Sequence, residues 1–418
     1  MSKKTFSLST PPAFQCYSCQ GCGDCCRGRF AIIISAADRE RLEQQQWSAE
    51  ELQLNGQPLF TPQNGGFQLA HRADGACVFL DDQGRCRIHA RYGESEKPLP
   101  CRLYPFRFVP LGNQVRVDVR FDCPSTAGNF GHPIPSYRSS LLSLMPQVVP
   151  EYAATLSAPP FYGNVRSTWA QLCRITETFE RLLLNDSLDI TRRVLGCVNF
   201  AAALRSPRIV SLEGRKLSEF LETVLTKVIE TAEKDTLRRV PPPGIVQSMF
   251  RHLLSIYARM DRVGEKTSTI QRLKHSLRMS SGRGQVPPIR QGFPSVAFTD
   301  IDRMSVTPQH GAAAMIERYL HLRLSSMSFF GRTFYDRSYL DGMNSLLLTY
   351  PLVCWIARAY AVEQGLQAPD AGCMEQALQI VDHQHGMNPL LNIAIEHVRT
   401  NFLTERSHLR SLVIWYGS

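Results

Sequence analysis

The chain has 418 residues, 43% of them hydrophobic and 20% charged, with a formal net charge of +10. This composition excludes a disordered, collagenous or fibrous chain, and the length suffices for more than one hydrophobic core. The positive balance suits an acidic partner such as nucleic acid, anionic lipid or an acidic protein, and by itself selects none of them.

The first segment, MSKKTFSLSTPPAFQ, carries two lysines but no apolar run and no small-residue cleavage site, so a disordered tail is predicted over 1–15 rather than a secretory signal. The most apolar later stretch, SLLLTYPLVCWIARAYAV (345–362), contains Pro351 and Arg358 and is short of the roughly twenty apolar residues that a spanning helix needs. A buried core helix and no membrane span are predicted there. Without an export signal or anchor the expected compartment is the reducing cytoplasm, where clustered thiols bind metal or do redox chemistry rather than form disulfides.

The 13 cysteines divide the chain. Cys16, Cys19, Cys22, Cys25, Cys26, Cys77, Cys86, Cys101 and Cys123 precede Pro124, whereas Cys173, Cys197, Cys354 and Cys373 are scattered through apolar helical patterns and read as buried hydrophobes. In the first part FAIIIS (30–35) predicts a buried strand. Ser35 and Asp38 then cap a helix through AADRERLEQQQW. ACVFLDDQGRCRI predicts a hairpin around Asp82, Gln83 and Gly84, with Cys77 and Cys86 near its strand ends. FRFVPLGNQVRVDVRFDC predicts a second hairpin turning at Gly112 and Asn113. In it Val115, Val117, Val119 and Phe121 form a buried face, and Arg116, Asp118 and Arg120 a wet one.

Beyond Pro124 the periodicity becomes helical. STWAQLCRITETFERLLL places Leu172, Ile175, Phe179 and Leu182 on one face. LSEFLETVLTKVIETAEK, GIVQSMFRHLLSIYARM, AAAMIERYLHLRL, YLDGMNSLLLTYPLVCWIARAYAVEQ and PLLNIAIEHVRTNFL follow the same pattern. The segment 261–290 interrupts it, with seven Lys or Arg against two acids and with Gly282, Gly284, Pro287 and Pro288. It predicts a solvated basic loop within 261–300, or a contact for an acidic partner.

Thiolates ligate zinc and iron strongly, and a two-residue gap lets a tight turn present two sulfurs to one centre. Cys19, Cys22 and Cys25 are therefore natural ligands. Adjacent side chains diverge in most backbone conformations, so Cys26 is expected to face a second centre or to buttress the first. With Cys77, Cys86, Cys101 and Cys123 the set reaches eight, enough for two tetrahedral zinc sites, two clusters, or one four-thiol site with spare thiols. The nearby His71, His89 and His132 are weaker candidates.

CQGCGDCC followed by CVFLDDQGRCRIHAR, PCRLYPF and a final DC resembles the YkgJ-like cysteine-cluster family, a CxxCxxCC zinc- or iron-chelating type. Its motif falls on Cys19, Cys22, Cys25 and Cys26 and its later cysteines on Cys77, Cys86, Cys101 and Cys123, leaving Cys16 as an extra. The resemblance covers about the first 125 residues. It implies metal or iron-sulfur binding and no particular reaction. More distantly, the layout is similar to flagellin lysine N-methylases, which pair such a domain with a helical region. That likeness implies an iron-sulfur cluster, methyl transfer from S-adenosylmethionine, and a protein substrate such as flagellin. No glycine-rich loop after a strand supports a doubly wound cofactor domain, and the spacing of radical S-adenosylmethionine enzymes is missing.

The expected fold class is therefore α+β. A small cysteine-rich metal- or iron-sulfur-binding domain with short hairpins over 16–135 precedes a mainly α-helical domain over 136–418. The expected cofactor is a [4Fe-4S] cluster or Zn2+. A zinc-stapled interaction module is the non-enzymatic alternative. Nucleic acid is disfavoured, because neither a zinc-finger helix nor an aromatic-interleaved basic strand is evident. Arg102 and Tyr104, beside Cys101, are candidates to donate hydrogen bonds to sulfur or substrate.

Overall fold

The computed structural model describes residues 6–27, 31–260, 268–304 and 310–417. Among them the strands all precede residue 134 and form three small sheets. β1 (Ser7–Ser9) runs parallel to β7 (Gln114–Val119), which pairs antiparallel with β6 (Phe106–Leu111). β2 (Cys16–Tyr17) pairs with β8 (His132–Pro133), and β5 (Gly66–Leu69) lies between β3 (Ile33–Ile34) and β4 (Phe60–Gln63). Short helices join them: α1 (Ala36–Gln44), α2 (Arg87–Tyr92), α3 (Leu99–Leu103) and α4 (Pro124–Ala127). The chain then continues as α5 (Arg138–Val148), α6 (Trp169–Leu183), α7 (Ile190–Ala203), α8 (Gly214–Lys234), α9 (Gly244–Ala258), α10 (Thr269–Ser281), α11 (Phe298–Arg303) and α12 (His310–Ser326). It closes with α13 (Tyr339–Glu363), α14 (Ala371–Gln384), α15 (Ala394–Leu403) and α16 (Arg406–Gly417). The fold is mixed α/β, with small sheets and a helical majority.

Local sequence explains many boundaries. Ser35 accepts the Asp38 N–H at 3.0 Å to cap α1, as its spacing predicts. Thr168 and Gln171 form a reciprocal capping box at α6. α13 has the length and hydropathy of a membrane helix, but its most apolar window is 94% buried inside the fold, as expected for a core helix.

Two apolar cores divide the chain, and they do so away from the boundary expected at 135. The smaller gathers Ile34, Leu42, Leu52, Leu69, Val78, Phe79 and Ile88. The β1–β7–β6 sheet belongs instead to the larger, helical core: Leu8, Val115, Val117, Val119, Phe121 and Ile134 are buried there with Phe179, Ile316 and Tyr319. The tail expected over 1–15 is accordingly ordered at Ser7–Ser9, where the Ser7 N–H donates to the Asn113 carbonyl at 3.1 Å. Residues 1–5 lie outside the described part.

The β6–β7 hairpin turns where expected, and its valine face is buried. The opposite face is not wet. Asp118 is fully buried under Arg323 of α12, and Arg120 nearly so, held by Asp122. Arg323 of α12 pairs with both Asp118 and Asp382, and Arg107 also holds Asp118. Burial disfavours the Asp118 carboxylate, but Arg323 and Arg107 outweigh it and hold the group below the usual carboxylate range. Asp382 in turn accepts the N–H groups of Phe121 at 2.7 Å and Asp122 at 3.2 Å. The helical core thus grips the backbone just before Cys123.

Two further expectations change. The arm after Asp82–Gly84 is α2 rather than a second strand, leaving only the Leu80–Cys86 bridge of the expected hairpin. The basic loop expected over 261–300 contains helix α10, capped by Ser268, which accepts the Gln271 N–H at 3.2 Å. Arg262 and Lys266 lie outside the described residues.

The buried His385 makes the fold acid-sensitive. Its Nδ1 lies 2.8 Å from the Tyr257 hydroxyl, and burial, aided by Arg323 and Arg107, pushes the imidazole down to about 3 from 6.5. An unfolded chain binds this proton from pH 6.5 downward while the folded one does not. His385 therefore adds nothing to the pH dependence above 6.5 and costs stability progressively as pH falls toward about 3. Urea midpoints measured from pH 8 to pH 4 should show a shallower acid decline in a His385→Gln variant than in the parent chain.

Candidate metal centre

The cysteine loop is shaped by glycine. Gly23 (φ +71°) starts a 3₁₀ turn, Asp24–Cys26, closed by the Cys26 N–H donating to the Gly23 carbonyl at 2.9 Å. A Cβ on Gly23 would meet the Gly84 carbonyl oxygen at 3.0 Å and Leu80 Cδ1 at 3.1 Å, so loop and turn touch backbone to backbone. The facing turn is preorganised by Asp81, whose Oδ1 accepts the N–H groups of Gln83 at 2.9 Å and Arg85 at 2.7 Å. The loop is also tied down by the Cys77 N–H, which donates to the Cys26 carbonyl at 2.6 Å. Gly23→Ala combines left-handed backbone strain of about 1–2 kcal/mol with this close approach. It should lower the thermal midpoint and reduce metal content per chain, whereas Gly21→Ala, with open space around its Cβ position, should show the strain alone. Metal analysis and melting of both variants check this.

The third arm comes from the segment before α3. Asp38, nearly buried, accepts the Leu99 N–H at 3.3 Å and pairs with Arg41 at 2.5 Å, while Arg41 donates to the Lys97 carbonyl at 3.1 Å. These bonds fix the approach to Cys101 in α3. Asp38, in the first turn of α1, thereby positions a thiol more than sixty residues away in sequence.

The three arms enclose a half-open cavity of about 720 Å³ whose wall contains Cys19, Cys25, Cys26, Cys77, Cys86 and Cys101. Cys25 and Cys26 Sγ lie 3.8 Å apart. Of the two expectations for Cys26, a second centre or a buttress to the first, its place in the same wall beside Cys25 fits the buttress. In a 3₁₀ turn successive side chains are about 120° apart rather than on opposite sides, so neighbours can share a face. Cys22 is exposed and outside the wall. Cys123 is buried at the start of α4, also outside the wall, near enough to Cys25 for each thiolate to disfavour the other. Cys16 sits in β2, its N–H bonded to Asn129 Oδ1 at 2.7 Å. Of the candidate histidines His89 lines the cavity, while His71 contacts the Leu69 carbonyl at 3.1 Å and His132 lies on exposed β8.

The rest of the wall is largely apolar, with Ile32, Phe79, Ile88 and Pro100, and has three cationic side chains, Arg85, Lys97 and Arg120. Tyr104 also lines it and donates to Asp122 Oδ1 at 3.2 Å; Asp122 is held by Arg120 at 2.6 Å and contacts His383 Nδ1 at 3.0 Å. Arg102 turns outward to Gln147. Burial pushes the Cys101 thiol up to about 12, opposed by Lys97, and raises Cys77 as well, with Cys101, Cys86 and Cys25 adding to the shift. Such thiols stay protonated until a cation takes the proton's place, which is the condition of a metal site whose ligands are deprotonated on loading. The donor chemistry fits a thiophilic metal. Among the described residues, however, no three His, Cys, Asp or Glu side chains converge closely enough to hold one ion; the thiols ring a space rather than a point. Sequence reasoning missed Phe79, Lys97 and Arg120, since nothing in their local pattern links them to sulfur.

Comparison with known proteins agrees with this chemistry. No curated protein and no solved structure matches the chain. Residues 18–123, which supply every thiol of the cavity, match the family described as "CxxCxxCC: Putative zinc- or iron-chelating domain", and the match supports metal binding by this part of the chain.

Proposed function

We propose that the protein binds metal as a [4Fe-4S] cluster held in the cavity by Cys25, Cys77, Cys86 and Cys101. The observation that carries this reading is the ring of six thiols around one space of about 720 Å³. A mononuclear zinc site draws four sulfurs to about 2.3 Å from one point, whereas a cluster takes each thiolate on a separate iron and suits ligands spread around a volume. Cys77, Cys101 and Cys86 are electrostatic neighbours of one another and of Cys25, which makes these four the preferred set. Cys19 and Cys26 flank it. Lys97, close enough to favour the thiolates of Cys25 and Cys101, offsets the negative charge of a thiolate-ligated cluster. Anaerobic purification with iron, sulfide and zinc assays and a visible spectrum tests the reading. About four irons and four sulfides per chain with broad visible absorption are expected. One zinc per chain and a colourless protein would establish the zinc-stapled module instead.

A second reading, a protein lysine N-methylase, rests on the size of this same cavity, which exceeds what a cluster fills. Tyr104, Lys97 and Phe79 line room within the size range of small-molecule sites, and S-adenosylmethionine would occupy it. Anaerobic incubation with labelled S-adenosylmethionine and flagellin or lysate tests this; label in lysine supports the reading, and unlabelled lysine in the cluster-loaded protein removes it.

A further inference from the structure

Helix α10, in the segment that reads as a basic loop by composition, presents an amphipathic face with no partner among the described residues. It packs against α9 through Met279, which is fully buried, and through Ser276 and Ser280, whose hydroxyls lie 3.2 and 3.3 Å from His252 Nδ1. On the other side Ile270, Leu273 and Leu277 are 68%, 59% and 62% exposed. Spaced three and four apart, they form one stripe down the helix. Lys274 and Arg278, both exposed, border that stripe, and exposed Arg283 follows the Gly282 cap. From residue 268 to 290 there are five Lys or Arg and no acid.

We propose that α10 docks the protein on an anionic lipid surface, lying in the plane of the membrane with Ile270, Leu273 and Leu277 in the headgroup layer. An interfacial helix needs large aliphatics on one face and Lys or Arg beside them. α10 supplies both. Its cations neighbour the apolar stripe, where they meet lipid phosphates as the aliphatics enter. The all-positive stretch matches a diffuse negative surface rather than a partner that sets a register with alternating charges. This inference is independent of the metal centre, which lies in the smaller core.

The test uses the full chain and vesicles of phosphatidylcholine with or without phosphatidylglycerol. Flotation is expected with the anionic vesicles alone and should weaken as salt rises. Lys274→Ser with Arg278→Ser should lower the partition about thirtyfold. Leu273→Ser with Leu277→Ser should abolish it. All four positions are exposed, and unchanged melting curves show that the variants fold. Failure to float with anionic vesicles, or equal flotation of the parent and both variants, overturns the proposal. So does binding of an acidic helical peptide to α10 by a chain that ignores vesicles.

Discussion

Replacing Cys25 with alanine should abolish the metal centre. Cys25 stands where the arms meet: it touches Cys26 at 3.8 Å, and as a thiolate it would disfavour those of Cys77, Cys101 and Cys123. With the proposed ligand set, losing it removes the thiolate that would join the N-terminal loop to both later segments. Metal per chain should fall from one centre to near none, with loss of any visible absorption. The smaller core is too modest to hold these loops without help, so proteolysis within the loops should accelerate while the helical core resists. Cys16→Ala, in β2 and outside the cavity wall, should keep full metal content. Metal analysis of the two variants side by side is the check; retention of metal by Cys25→Ala would remove this residue from the ligand set.

The second large effect belongs to the buried charges. Arg323 is 2% exposed and is shared by Asp118 and Asp382. Arg323→Ala leaves both carboxylates buried without their shared cation and should cost about 3–5 kcal/mol. Because Arg323 no longer holds the buried Asp118 carboxylate down, the deficit should shrink as pH falls, the reverse of the His385 trend in the parent chain. Arg323→Ala combined with Asp118→Asn should recover part of the loss. Urea denaturation at pH 7 and pH 5 measures both features, and a deficit below about 1 kcal/mol at pH 7, the range of an exposed pair, would contradict the network.

The same residues mark what the sequence reveals and what it hides. The valines of β7 announce their face by alternation, since a strand's period is local. The cover over Asp118 is supplied by Arg323, more than two hundred residues later and itself paired with Asp382, so a polar face looks wet until the tertiary partners arrive. α10 is masked by flanking glycines, prolines and charges, although Ser268 and the spacing of Ile270, Leu273 and Leu277 are a legible helix signal. In the metal centre the thiols are visible by composition and by the resemblance that orders them. Membership in the cavity wall is not, because it depends on a 3₁₀ turn that aims Cys26 inward and on a helix start that buries Cys123 elsewhere. Lys97 is placed by Arg41 and Asp38 of α1, a contact without a local signature.

X-ray absorption at the iron and zinc edges of anaerobically purified protein tests the central claim most directly. Iron with a sulfur-only first shell and a second shell of iron is the expected result, diminished in Cys25→Ala and unchanged in Cys16→Ala. A mononuclear zinc shell, or a first shell of nitrogen and oxygen, would contradict a cluster held by the thiol ring.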